Sequence, residues 1–266
     1  MTAATHDSGV PHIGGFHPRR INQYVPGMQF SSDVGYPSGI TRISLGKPAA
    51  ADPDGLIVNC TGVATTGTEI TFTGATVSHG TLGAIASAQA AATGKAGQAD
   101  ATYGRRVVCS VAASGTAFAF DVEGYDYLSQ PVKETVTKAS NSTSAVSLKA
   151  FQEVTKITVG GTTAATTTDF GWHAVGMPYR TVAVLAEQIG GAGQTVGTLT
   201  APVDTDPATA TTGDPRGTYL HAGTLSTASE ATLTIVCQPY LVAVSSPGER
   251  QNPYNGGLYG IKHYYA

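Results

Sequence analysis

The sequence predicts an all-β protein: a jelly-roll-like β-sandwich core with an extended arm at each end. Three observations carry that expectation. Short β-branched segments bounded by Gly, Asn or Asp-Pro turn signals recur through the middle of the chain. Charged residues make up only 12% of the 266, about half the usual share of roughly 25%, and Gly, Ala and Thr take their place. Prolines and aromatics crowd both ends without a period of 2 or 3.6.

Residues 1–45 are expected to form the N-terminal arm. In "HIGGFHPRRINQYVPGMQFSSDVGYPSG" prolines recur too often for an inner strand or a helix. Phe16, Tyr24, Phe30 and Tyr36 would instead be laid onto another surface. Residues 246–266 mirror this with Tyr254, Tyr259, Tyr264 and Tyr265 among glycines. Aromatics left in water forgo about 25 cal/mol per Å² of burial. Either the arms fold back on their own domain or they clasp a neighbour, and the clasp is the reading carried forward.

Residues 46–245 form the sandwich, with 46–100 as a possible small β subregion. Strand patterns include "GLIVNC", "TEITFTGATV", "RRVVCSV", "SAVSLKAF", "VTKITVGG", "RTVAVLAEQ" and "ATLTIVCQPY". The alanine-rich stretch 81–99 is interrupted by Gly83, Gly94 and Gly97, so a short helix or a loop is expected there. In "FAFDVEGYDYLSQPVKETVT", Phe118, Phe120 and Val122 share one face, and Val132 and Val136 continue it after a break. Lys133, Thr135 and Thr137 take the opposite face, which makes the stretch a hairpin. Gly124 would mark a bulge or bend, and Pro131 would open the return strand, where its missing N–H does little harm. Val107, Phe118, Phe120, Val122, Ile157, Val159, Leu233 and Ile235 are the expected core between two sheets.

Composition argues against several functions. A net charge of −3 and a pI near 6.1 give no electrostatic basis for binding nucleic acid. "MTAATHDSGVPHIGG" lacks the apolar segment of a signal peptide, and no run reaches the roughly 20 apolar residues of a membrane helix. Cys60, Cys109 and Cys237 are odd in number and widely spaced, which predicts free thiols and synthesis in a cytoplasm. The glycosylation-like sites at Asn59 and Asn141 carry no weight without a secretion signal. A surface so poor in charge is either covered by something else or solvated by Thr and Ser.

The search for chemistry finds little. His6, His12 and His17 lie on a Gly-Pro-rich stretch with no carboxylate framework around them, so neither a metal nor any other cofactor is expected. "DFGWH" contains the kinase tripeptide without the accompanying motifs. No Gly-x-Ser-x-Gly elbow occurs. Asp121, Glu123, Asp126 and Glu134 cluster in sequence, but Asp121 and Glu123 share the face opposite Phe118 and Phe120 and should be solvated. Trp172 is the sole tryptophan, a thin basis for a sugar-binding platform. The expectation is a protein that is not an enzyme and works through shape and contact.

A series of short motifs adds a resemblance. Gly104 to Val107, Gly124 to Pro131, Glu134-Thr135, Lys149 to Val154 and Gly176 to Arg180 occur in that order, followed by "ATATTGDPRGTY" at 208–219. The series resembles tailed-bacteriophage structural proteins encoded near the major capsid protein. It covers roughly residues 100–220, and neither arm shares in it. The resemblance implies a capsid cement or decoration protein on the outer surface of a virion. Its partners would be the major capsid protein and neighbouring copies of itself, as a dimer or trimer, with no nucleic acid or membrane. Partner contacts are expected from Phe16, Tyr24, Phe30, Tyr36, Tyr125, Tyr254, Tyr259, Tyr264 and Tyr265. Tyr127 either joins them or packs with Leu128 under its own turn. The alternatives are another virion component (tail tube, adaptor or head-fibre base) and a carbohydrate-binding β-sandwich adhesin.

Overall fold

The computed structural model describes residues 40–60, 67–73, 76–79, 83–84, 95–111, 117–159, 168–203, 205, 208–223 and 231–239. The described part is all-β. In chain order its strands are β1 (Thr41–Gly46), β2 (Asp52–Cys60), β3 (Thr68–Thr73), β4 (Thr76–His79), β5 (Gly83–Ala84), β6 (Arg105–Val111), β7 (Phe118–Tyr125) and β8 (Pro131–Lys138). There follow β9 (Ser144–Phe151), β10 (Glu153–Val159), β11 (Thr168–Gly176), β12 (Thr181–Ile189), β13 (Ala192–Gln194), β14 (Thr198–Thr200), β15 (Thr218–Leu220) and β16 (Leu233–Pro239). The expected arm thus gives up its last residues: Thr41, Ile43 and Leu45 alternate inward on β1, and the strand pairs with β16. Of the stretch 81–99, the described residues are the two of β5 and a turn at 95–99 whose Gln98 bridges to Glu153.

Three antiparallel sheets result. The first has the order β5-β4-β3-β10-β7-β8. The second runs β14-β15-β11-β6-β9, with β2 also paired to β11. These two pack face to face, because period-2 alternation gives each an apolar face that has to leave water. Phe118, Phe120 and Val122 from β7 and Ile157 and Val159 from β10 meet Val107 and Cys109 from β6 and Phe170 and Trp172 from β11. The Phe120 and Phe170 rings meet edge-to-face at 5.4 Å. This is the expected sandwich core.

Leu233 and Ile235 lie elsewhere. They belong to the third sheet, β1-β16-β12-β13, and to a second apolar cluster with Leu45, Val175, Met177, Tyr179 and Tyr219. β11 links the two cores. Its first half pairs with β2, its end pairs with β15, and β6 runs along its other side. Cys109 and Cys237 are free and buried, one in each core, and burial pushes both thiols up to about 12.

The hairpin is as the alternation predicts, with Phe120 opposite Val136 and Tyr125 opposite Pro131. The bulge lies across from Gly124 rather than at it. β10 carries an extra residue between Val154 and Lys156, and Gly124 faces that point. A Cβ on Gly124 would stand 1.9 Å from the Glu153 carbonyl oxygen, so only glycine admits this approach.

Candidate functional site

The residues of the motif series converge where the edge strands β8 and β9 of the two packed sheets come together. β9 is irregular there: Arg106 pairs with Ala150, but Val108 pairs with Val146. Residues 147–149 therefore face a single partner, Val107. Such a bulge frees backbone N–H groups, and buried ones must find acceptors. Side chains provide them. Glu134 of β8 accepts from Leu148 N–H at 2.5 Å and Lys149 N–H at 2.7 Å. Ser147 Oγ accepts from Val107 N–H at 2.8 Å, and Asp214 accepts from Ala150 N–H at 3.0 Å.

The charges that enter with these acceptors are balanced by others. Lys149 Nζ, 2.6 Å from the Thr209 carbonyl oxygen and 2.9 Å from that of Lys133, donates to both. Arg216 donates to Asp126 at 2.8 Å with both side chains buried, and Arg216 N–H donates to Asp214. The segment 208–217 is thereby strapped across the edge of β8, where the Ala210 carbonyl accepts from Thr135 N–H. Burial pushes the Glu134 carboxyl up to about 7, against the pull of its two backbone bonds, Lys149 and Arg106. Burial likewise raises Asp214 and lowers Lys149. Desolvation disfavours the charged form in each case.

Asp126 also builds the β7–β8 turn. Its Oδ1 accepts from Leu128 N–H and Gln130 N–H, each at 2.8 Å, and its own N–H donates to the Gln130 carbonyl. Tyr127 folds beneath the turn. Its ring meets Tyr103 edge-on at 5.1 Å, carries the Arg216 guanidinium 4.8 Å from its centroid, and its hydroxyl donates to the Pro178 carbonyl. Of the two readings of Tyr127, internal packing is the one the structure shows. Leu128 does not join it and is 45% exposed.

Of the expected partner-binding residues, the described part contains Tyr125, which is 43% exposed at the end of β7. Phe16, Tyr24, Phe30, Tyr36, Tyr254, Tyr259, Tyr264 and Tyr265 lie outside the described residues, as do His6, His12 and His17. Asp121 and Glu123 are half-buried on the outer face of the first sheet. Lys133 lies 3.5 Å from each, Lys156 bridges Glu123 and Glu69, and Thr135 donates to Asp121. This is a partly buried ladder of cross-strand pairs rather than the solvated face expected, each pair worth a fraction of a kcal/mol to about 1 kcal/mol.

The buried carboxylate Glu134 escaped a reading by residue type, yet its signal was present: it shares the parity of Val132 and Val136. Lys149 likewise shares the parity of Phe151, and Arg105 that of Val107 and Cys109. A charge in phase with core positions marks a buried polar group.

Among the described residues no group of three or more His, Cys, Asp or Glu could hold a metal, and no helix is long and apolar enough to cross a membrane. No protein-family model, curated protein or solved structure matches this chain.

Proposed function

We propose that this chain is a virion structural protein that binds the outer surface of a tailed-phage capsid and cements or decorates it by bridging neighbouring subunits. The observation that carries the reading is the ordered motif series from Gly104 to Tyr219. Five of its charged members, Asp126, Glu134, Lys149, Asp214 and Arg216, are buried near one another around the β9 bulge and the segment 208–217. The partners are the major capsid protein and neighbouring copies of this chain. Many weak contacts repeated by symmetry would add up as avidity, and the aromatic arms suit that reach.

The test is the copy number of this chain in purified particles, with its position in a symmetry-averaged map. Hundreds of copies on the shell are expected. Tens or fewer at the tail or a head-fibre base, or none at all, would overturn the reading. A chain lacking residues 1–40 should bind capsids stripped of this protein more weakly than the full chain. Equal affinity would remove the N-terminal arm from the attachment.

A further inference from the structure

The segment "ATATTGDPRGTY" contains a peptide bond of unusual reactivity, Asp214–Pro215. An aspartate carboxyl can reach its own carbonyl carbon through a five-membered ring. When proline follows, the nitrogen to be expelled belongs to a tertiary amide and leaves as a secondary amine, which takes up a proton readily. The chain has two other such bonds, Asp52–Pro53 and Asp206–Pro207, the second of which lies outside the described residues.

At Asp214 the fold adds three features to this local chemistry. The carboxyl is buried and fixed: Oδ1 accepts from Arg216 N–H at 2.8 Å, and Oδ2 accepts from Ala150 N–H at 3.0 Å. The first of these bonds is an Asx turn, which folds the carboxyl back along the Asp214–Pro215 peptide. The Asp214 carbonyl oxygen accepts from two backbone N–H groups, Val203 at 3.1 Å and Gly217 at 3.3 Å. Paired donors on a carbonyl oxygen stabilise the oxyanion that forms when its carbon is attacked. Gly217 turns its N–H back to that oxygen from a left-handed φ of +85°. Finally, burial raises the Asp214 carboxyl, with Asp126 of the β7–β8 turn acting in the same direction and Arg216 and the two backbone donors opposing it. Lys149 of β9 and Arg106 of β6 also face this carboxyl electrostatically. Burial prevails, and the proton that cleavage requires is kept close to the bond.

We propose that Asp214–Pro215 is a self-cleavage site, at which the Asp214 carboxyl divides the chain into residues 1–214 and 215–266. A carboxyl oxygen bonds to the Asp214 carbonyl carbon, the bond to the Pro215 nitrogen breaks, and the carboxyl proton passes to that nitrogen. The products of this step are a cyclic anhydride and a new N-terminal proline. Water then opens the anhydride to two carboxyl groups, so the net reaction consumes one water. The fragments stay associated, because β15 still pairs with β11, and β16 with β1 and β12. What is cut is the strap across β8, between Ala210 on Thr135 and Arg216 on Asp126. The inference stands independently of the capsid-binding reading.

The test incubates the full chain at about pH 5 and about pH 8, either side of the neutral-to-charged change of a raised carboxyl, and reads intact masses after denaturation. Fragments 1–214 and 215–266, together heavier than the chain by one water, should accumulate faster at the lower pH. Asp52–Pro53 is an internal control, since its Oδ1 accepts from Asp54 N–H at 3.3 Å in the same kind of turn but its side chain is only half-buried. In the folded chain Asp214–Pro215 should break about tenfold faster or more than Asp52–Pro53, and in urea that preference should disappear. Asp214→Asn and Pro215→Ala should each stay whole at this position. An uncut folded chain, equal rates at the two bonds, or a preference that survives urea would overturn the proposal. Cutting of Asp214→Asn at the same bond would also overturn it, by pointing to a contaminating protease.

Discussion

Arg216 and Asp126 meet at 2.8 Å with both side chains buried, joining positions 90 residues apart in the sequence. The pair fastens the segment 208–217 to the β7–β8 turn, so the two regions are mechanically one. Removing one member of a buried pair leaves the other charge unpaired, at a typical cost of about 3–5 kcal/mol. Arg216→Met should lose about that much stability in urea denaturation, and Asp126→Asn in the same chain should restore part of it. A loss below ~0.5 kcal/mol, the range of ordinary surface substitutions, would show that the pair holds nothing together.

Phe120 has no exposed surface and packs edge-on against Phe170 between the first two sheets. Phe120→Ala should destabilise the chain by about 3–5 kcal/mol. Leu233→Ala, in the second core, should cost about 2–5 kcal/mol. An unmoved melting transition in the first case would mean that the β7 register is wrong.

Glu134 gives stability a specific pH dependence. Its carboxyl is pushed up from its ordinary 4.5 to about 7, chiefly by burial. A group that holds its proton more tightly folded than unfolded stabilises fully below its unfolded pKa, and that contribution is lost as pH rises through the folded one. Asp214, raised by burial, acts in the same direction. Lys149, lowered by burial, acts oppositely in the alkaline range, where its contribution grows with pH. Between pH 5 and 8 the native chain should therefore lose stability relative to Glu134→Gln. The comparison is of urea midpoints at both pH values, and parallel midpoints would contradict the assignment.

Gly124 faces the β10 bulge with no room for a side chain, since a Cβ would stand 1.9 Å from the Glu153 carbonyl oxygen. Gly124→Ala must push β7 and β10 apart, and overpacking of this kind costs about 1–3 kcal/mol. Hydrogen exchange should report the loss first at the amides that pair β7 with β10. A variant as stable and as protected as the native chain would count against the backbone approach described for this point.

The local pattern of this chain was legible because strand alternation is a short-range property. The parity of Phe118, Phe120 and Val122 and the start of β8 at Pro131 each depend on residues within a few positions of one another. The division into three sheets was not legible in the same way. Leu233 and Ile235 alternate just as Phe118 and Phe120 do, and only the pairing of β16 with β1 and with β12 assigns them to a separate core. Partner choice between strands depends on residues far apart in sequence, and alternation carries no record of it.

The same holds for the motif residues. Sequence alone determined which residues they are and their order, and parity marked Glu134, Lys149 and Arg105 as in phase with the core. Tertiary structure decided what they do. The β9 bulge frees N–H groups, and Glu134, Ser147 and Asp214 accept from them; Lys149 and Arg216 balance the buried charge. It also split the tyrosines of the opening hairpin, turning Tyr127 inward onto Arg216 and leaving Tyr125 in solvent. The physical reason is that a polar group can be buried only where partners arrive to satisfy it. For this chain those partners come from strands and loops tens of residues away.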